Sequence, residues 1–120
     1  MLTSTVTRIA QGSSLAKLFP EVARDYPDGV VSMALPEIRV PTLIVSHSED
    51  ACEFTPAADA PTLAKRLTRS AKVAIVLLSS GDPPRSDPCE AYAAHGYYGI
   101  ETQAVDRIAE FIVANSKRGP

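Results

Sequence analysis

The sequence predicts an α/β fold, a parallel sheet layered between helices. Two continuous apolar runs rich in β-branched residues and leucine, Val40 to Val45 and Ala71 to Gly81, lack the polar alternation of a half-exposed strand. Such runs fit strands buried on both faces, as in a parallel sheet. A helix-period apolar stripe lies between them, and another follows the second run. Strands alternating with helices argue for a parallel sheet joined by crossovers.

Taken in order, the segment Met1 to Gly12 is ambiguous. "LTSTV" is β-prone, with Thr and Val dominating. Ser14 to Tyr26 holds a short helix on the spacing of Leu15, Leu18, Phe19 and Val22. Pro20 must sit in its first turn or break it. Pro27 to Gly29 is a turn, and Val30 to Ile38 reads as irregular. The strand Val40 to Val45 follows. Pro56 to Arg69 is a helix, with Ala57, Ala60, Leu63, Ala64 and Leu67 as its stripe and Pro61 in its first turn. Ala71 to Gly81 is the second strand. A loop containing "GDPPRSDPCE" runs from there to Gly99. Glu101 to Asn115 is the last helix, expected to pack through Val105, Ile108, Ala109 and Ile112.

Composition narrows the function. At 120 residues, 45% hydrophobic and 22% charged, the chain is an ordinary globular domain at most. A net charge of −2 offers no basic field for nucleic acid or anionic membrane. No apolar run approaches the roughly 20 residues that span a bilayer. The polar N-terminus is no signal peptide, which leaves the cytoplasm as the default compartment. Cys52 and Cys89 have no CxxC spacing, so no zinc site is expected. No cofactor or metal is expected, and Glu101, Asp106 and Glu110 read as a solvated helix face.

Ligands of open α/β sheets sit beyond the carboxyl ends of the strands. Asp50 lies just past the first clear strand, and His95 lies in the loop after the second. Adjacent parallel strands would bring both to one edge. The carboxylate would then accept from imidazole Nδ1 and orient the ring for general-base work.

These residues also carry a resemblance. "VPTLIVSHSEDACEFTP", then "KVAIVLLSSG", then "HGYYGIETQAVDRIAEFI" resembles the C-terminal part of an α/β-hydrolase, of the esterase-like and dienelactone-hydrolase-like kind. It covers Val40 to Val113. The resemblance implies a three-layer parallel sheet fragment of that fold, with Asp50 as catalytic acid and His95 as catalytic base. It divides the chain at residue 40: 1–39 is a partial strand with irregular and short helical segments, and 40–120 is the hydrolase-like portion. The implied activity is hydrolysis of an ester or related acyl bond by a Ser-His-Asp triad, on a small ester-like substrate. In that fold the loops carrying Cys52 and Cys89 meet, so the resemblance admits a Cys52–Cys89 disulfide; two reduced thiols are the alternative.

The family places its serine on a G-x-S-x-G elbow, and no such motif occurs here. "LTSTV" resembles the strand after the elbow helix. The expectation is therefore a C-terminal fragment with little activity alone, leaving an apolar sheet edge open to self-association or a complementing chain. A non-enzymatic binding or assembly module that completes its sheet through a partner is the first alternative. A compact hydrolase with Ser14 as nucleophile is the second, resting on "QGSSLA"; against it, Arg8 and Gln11 spoil the preceding run as a buried strand. Otherwise Ser14 is a loop or N-cap serine. His47 is expected on the surface or a pocket wall and Glu49 in solvent. Tyr97, Tyr98 and Ile100 are expected to pack the loop onto the last helix. Gly96 and Gly99 are expected at positive φ.

Overall fold

The computed structural model describes residues 1–116. Its elements are β1 (Leu2–Thr3), α1 (Ser14–Leu18), α2 (Pro20–Asp25), β2 (Thr42–His47), α3 (Ala60–Arg66), β3 (Val73–Leu78) and α4 (Glu101–Asn115), with short 3-10 turns between. The three strands form one parallel sheet in the order β1-β2-β3. Thr42 pairs with Val73 and His47 with Leu78, while Leu2 pairs with Ile44. The chain is of the α/β class.

All six residues of β2 are buried, as an apolar run without alternation requires. Its sides point to two separate cores. Ile44 packs with Leu35, Ala60, Leu63 and Leu67 under α3. Leu43 and Val45 pack with Leu78 and Ala104 under α4. The sheet is thus the middle of three layers. The strand begins two residues later than the apolar run suggests: Val40 is exposed, and Pro41 has no N–H for a ladder.

Proline sets the helix boundaries. Pro20 divides the first helical segment in two, because it opens α2 as its first residue and cannot continue α1. Ser13 caps α1 by accepting the Ala16 N–H at 3.2 Å. Ser14 is the first helical residue, so the cap falls one position earlier than expected.

The face of α4 shares only Ile108 with the expected stripe. Ala104, Ile108 and Phe111 pack on the sheet. Val105 and Ile112 are 62% and 55% exposed. Both stripes have helical spacing and each contains an alanine; α4 turns Ala104 to the sheet and leaves Ala109 exposed.

The strand from the central run has neighbours on both sides, so it is not the bare edge. The edges are β1 and β3. Ile75 and Leu77 of β3 lie on the α3 side, beyond the reach of that short helix, and are 39% and 54% exposed. The Cα radius of gyration is 15.2 Å, against about 14 Å for a compact chain of this length. Sheet and helices form an open slab.

The connection after β1 is strapped across the β2–α3 loop. Thr7 donates its N–H to the Phe54 carbonyl at 2.8 Å. Its hydroxyl donates to Asp59 at 2.8 Å, and Arg8 binds the same carboxylate through two nitrogens at 2.8 Å each. Gly29 lets the strap close, since a Cβ there would drive into the Val6 carbonyl. The Arg8 hydrogen bond holds the Asp59 carboxyl below its usual range, against the opposing effect of burial. A depressed carboxylate contributes stability that is full above its unfolded pKa and fades as pH falls through the folded value. Amide exchange of Thr7 should therefore quicken in acid, below the ordinary aspartate range. In Asp59→Asn it should be fast at all pH; unchanged protection in that variant would contradict the strap.

Candidate functional site

Parallel strands β2 and β3 end side by side, and the loops that leave them meet. Ser48 donates its N–H to the Leu78 carbonyl at 2.8 Å, extending the ladder by one step. The acid loop then turns, with the Asp50 N–H on the His47 carbonyl at 3.1 Å. This brings Asp50 beneath the histidine loop.

The Asp50 side chain is 1% exposed and accepts from three groups. The Cys52 N–H reaches Oδ1 at 2.9 Å, and the Thr55 hydroxyl reaches Oδ2 at 2.9 Å. His95 Nδ1 lies 3.1 Å from the same Oδ2. A carboxylate only accepts, so the proton of a neutral His95 sits on Nδ1 and Nε2 carries the lone pair. Among the described residues Nε2 has no hydrogen-bond partner, and no buried side-chain nitrogen or oxygen is left unsatisfied. Nε2 therefore reaches the surface. Asp50 and His95, named from the sequence alone, stand together as their order implied.

The histidine loop is anchored to β1 and β2. His95 sits in a 3-10 turn, Ala94–Gly96. Its carbonyl accepts the Ser4 hydroxyl at 2.8 Å. The Tyr97 hydroxyl donates to the Val45 carbonyl at 3.1 Å and accepts from Thr3 Oγ1 at 2.7 Å. Tyr97 and Ile100 also pack under α4, as expected, whereas Tyr98 stacks edge-on to Tyr92. Gly99 has positive φ, and Gly96 does not. Gly96 is needed for space, because a Cβ would overlap the Ala91 backbone. Ser4, Ser80 and Tyr97 adopt positive φ despite their side chains. Each such residue costs on the order of 1–2 kcal/mol, and all three lie where the strands end around the Asp50–His95 pair.

Cys52 and Cys89 form a disulfide with Cα atoms 4.7 Å apart. It ties the acid loop to the proline-rich loop that carries His95. Cys52 is buried, and its N–H is the donor to Asp50.

His47 is not a surface residue. It is 1% exposed, with Nδ1 accepting the Glu49 N–H at 3.1 Å and Nε2 donating to the Ser80 carbonyl at 2.7 Å. Both nitrogens are committed, so it holds the two loops together. It also lines a cavity of about 450 Å³ with Ala51, Pro83, Ala94 and Tyr98. The charged side chains on that lining are Glu49 and Asp82. His95 and Asp50 are not part of it; the cavity adjoins the pair through Ala94.

Ser14 is exposed on α1, whose Ala16 packs in a separate cluster with Ile9 and Ala23, and no hydrogen bond links Ser14 to His95. Among the described residues no group of three His, Cys, Asp or Glu side chains could hold a metal, and no helix is long and apolar enough to cross a membrane. Thr55 and Ser4 went unmarked in the sequence. Thr55 lies five residues after Asp50, at the start of a Pro-led turn, and nothing local distinguishes it from a loop threonine. Comparison with protein-family models, curated proteins and solved structures finds no match.

Proposed function

We propose that this chain carries the acid–base half of a Ser-His-Asp acyl hydrolase of the α/β-hydrolase type. The observation that supports it most is the buried Asp50 carboxylate 3.1 Å from His95 Nδ1, with Nε2 at the surface and without a hydrogen-bond partner among the described residues. Such a ring is a general base aimed at solvent. A serine hydroxyl brought to Nε2 would give up its proton there as its oxygen bonds to an ester carbonyl carbon. The imidazolium would return that proton to the leaving alkoxide as the C–O bond breaks. Asp50 stabilises the imidazolium throughout. Water then repeats the cycle and releases the acid.

No serine among the described residues hydrogen-bonds Nε2, so the nucleophile is supplied by another segment or chain. The exposed apolar side chains of Ile75, Leu77, Val105 and Ile112 support a complementing or self-associating partner. They are also what a purely structural binding module would offer. Substrates with neutral or cationic bodies suit the neighbouring cavity, whose charged groups are carboxylates.

The test is hydrolysis of an activated aryl ester by the purified chain. Wild type and His95→Ala should turn it over at equal rates, because a base without a nucleophile leaves only residual catalysis. A rate above His95→Ala that vanishes in Ser14→Ala would replace this proposal with a self-sufficient hydrolase using Ser14.

A further inference from the structure

We propose that Thr55 is a positioning residue for the Asp50–His95 pair: its hydroxyl fixes which His95 nitrogen carries the proton. The proposal rests on the acid–base role just assigned and adds a residue to it.

Thr55 is 3% exposed, and its side chain cannot turn to water. Its Oγ1 lies 2.9 Å from Asp50 Oδ2 and 3.0 Å from His95 Nδ1, while those two atoms are 3.1 Å apart. Three polar atoms thus form a closed triangle. A hydroxyl has one proton to give. When Thr55 gives it to Oδ2, its oxygen lone pairs face Nδ1. Nδ1 then meets two acceptors and must be the protonated nitrogen. The opposite tautomer would set the Nδ1 lone pair against the carboxylate, and the single Thr55 proton would have to serve both. Thr55 therefore favours one proton arrangement, the one that leaves Nε2 bare. It also gives Nδ1–H a second acceptor when the ring becomes charged.

A serine at 55 would keep this geometry, and a valine would keep the shape while removing the hydroxyl. Two-bond proton–nitrogen NMR of the folded chain reports the tautomer of each histidine directly. In Thr55→Val the ratio of the two His95 tautomers should move at least about fivefold toward Nε2–H, the worth of one hydrogen bond. Thr55→Ser should restore the wild-type spectrum. His47, bonded to Glu49 and Ser80, should not change in either variant. If Thr55→Val fails to fold, Thr55→Ala removes the same hydroxyl without placing a methyl against the carboxylate, and the same shift is expected. A Thr55→Val or Thr55→Ala spectrum equal to wild type, with Asp50→Asn changed, would overturn the proposal while leaving the Asp50–His95 pair intact. A wild-type His95 protonated on Nε2 would instead remove the acid–base role, and Thr55's role with it.

Discussion

Reducing the Cys52–Cys89 bond should lower the melting temperature by about 15 °C. The bond closes a loop of sequence separation 37. Releasing that constraint restores chain entropy to the unfolded state worth about 4 kcal/mol. For a chain of 120 residues, each kcal/mol corresponds to about 4 °C. Native domains hold only about 5–15 kcal/mol in reserve, so the loss is a large share of the total. The bond also joins the acid loop to the histidine loop, and Cys52 donates its N–H to Asp50. A double Cys52→Ser, Cys89→Ser variant should therefore lose order at His95 as well as stability. Calorimetry with and without a dithiol reductant measures the first effect. A melting temperature unmoved by reduction would show that the hydrogen bonds of Ser4, Tyr97 and His47 hold these loops unaided.

Asp50→Ala should cost about 3 kcal/mol. It strands the Cys52 N–H inside the protein, where an orphaned donor costs roughly 1–3 kcal/mol, and it removes the acceptor shared by Thr55 and His95, leaving the Thr55 hydroxyl only His95 Nδ1. Asp50→Asn should cost less, since its amide oxygen can still accept from Cys52. Its NH2 would face His95 Nδ1, however, and the ring should answer by moving its proton to Nε2. Chemical denaturation should rank wild type above Asn and Asn above Ala. An alanine variant as stable as wild type would mean that water replaces the carboxylate freely, and that the site is more open than its burial implies.

Much of this site was legible in the sequence because its logic is topological. Two apolar runs gave adjacent parallel strands, and parallel strands bring the residues that follow them to one edge. Asp50, His95 and the two cysteines could be placed on that rule together with the resemblance. Packing detail was not legible. On α4, Ala104–Ile108–Phe111 and Val105–Ile108–Ala109–Ile112 are both plausible stripes, and only the sheet's shape chooses between them. His47 reads as a polar strand end. Its burial depends on the Ser80 carbonyl, thirty-three residues away, and a distant acceptor leaves no local signal. Thr55 was invisible for the same reason. Gly96 was expected to supply a positive φ but supplies space against Ala91. A sequence cannot separate those two uses of glycine.

The central claim is that Asp50 orients His95 so that Nε2 is a bare, outward-facing base. The protonation pattern of the two histidines tests it most directly, in a two-bond proton–nitrogen spectrum taken at a pH where both rings are neutral. The structure makes them opposites: His95 protonated on Nδ1 toward Asp50, and His47 protonated on Nε2 toward the Ser80 carbonyl. Two distinct tautomers in one spectrum, with His95 alone inverting in Asp50→Asn, is the expected result. A wild-type His95 that carries its proton on Nε2, or averages between the two nitrogens as a free imidazole does, would contradict the account.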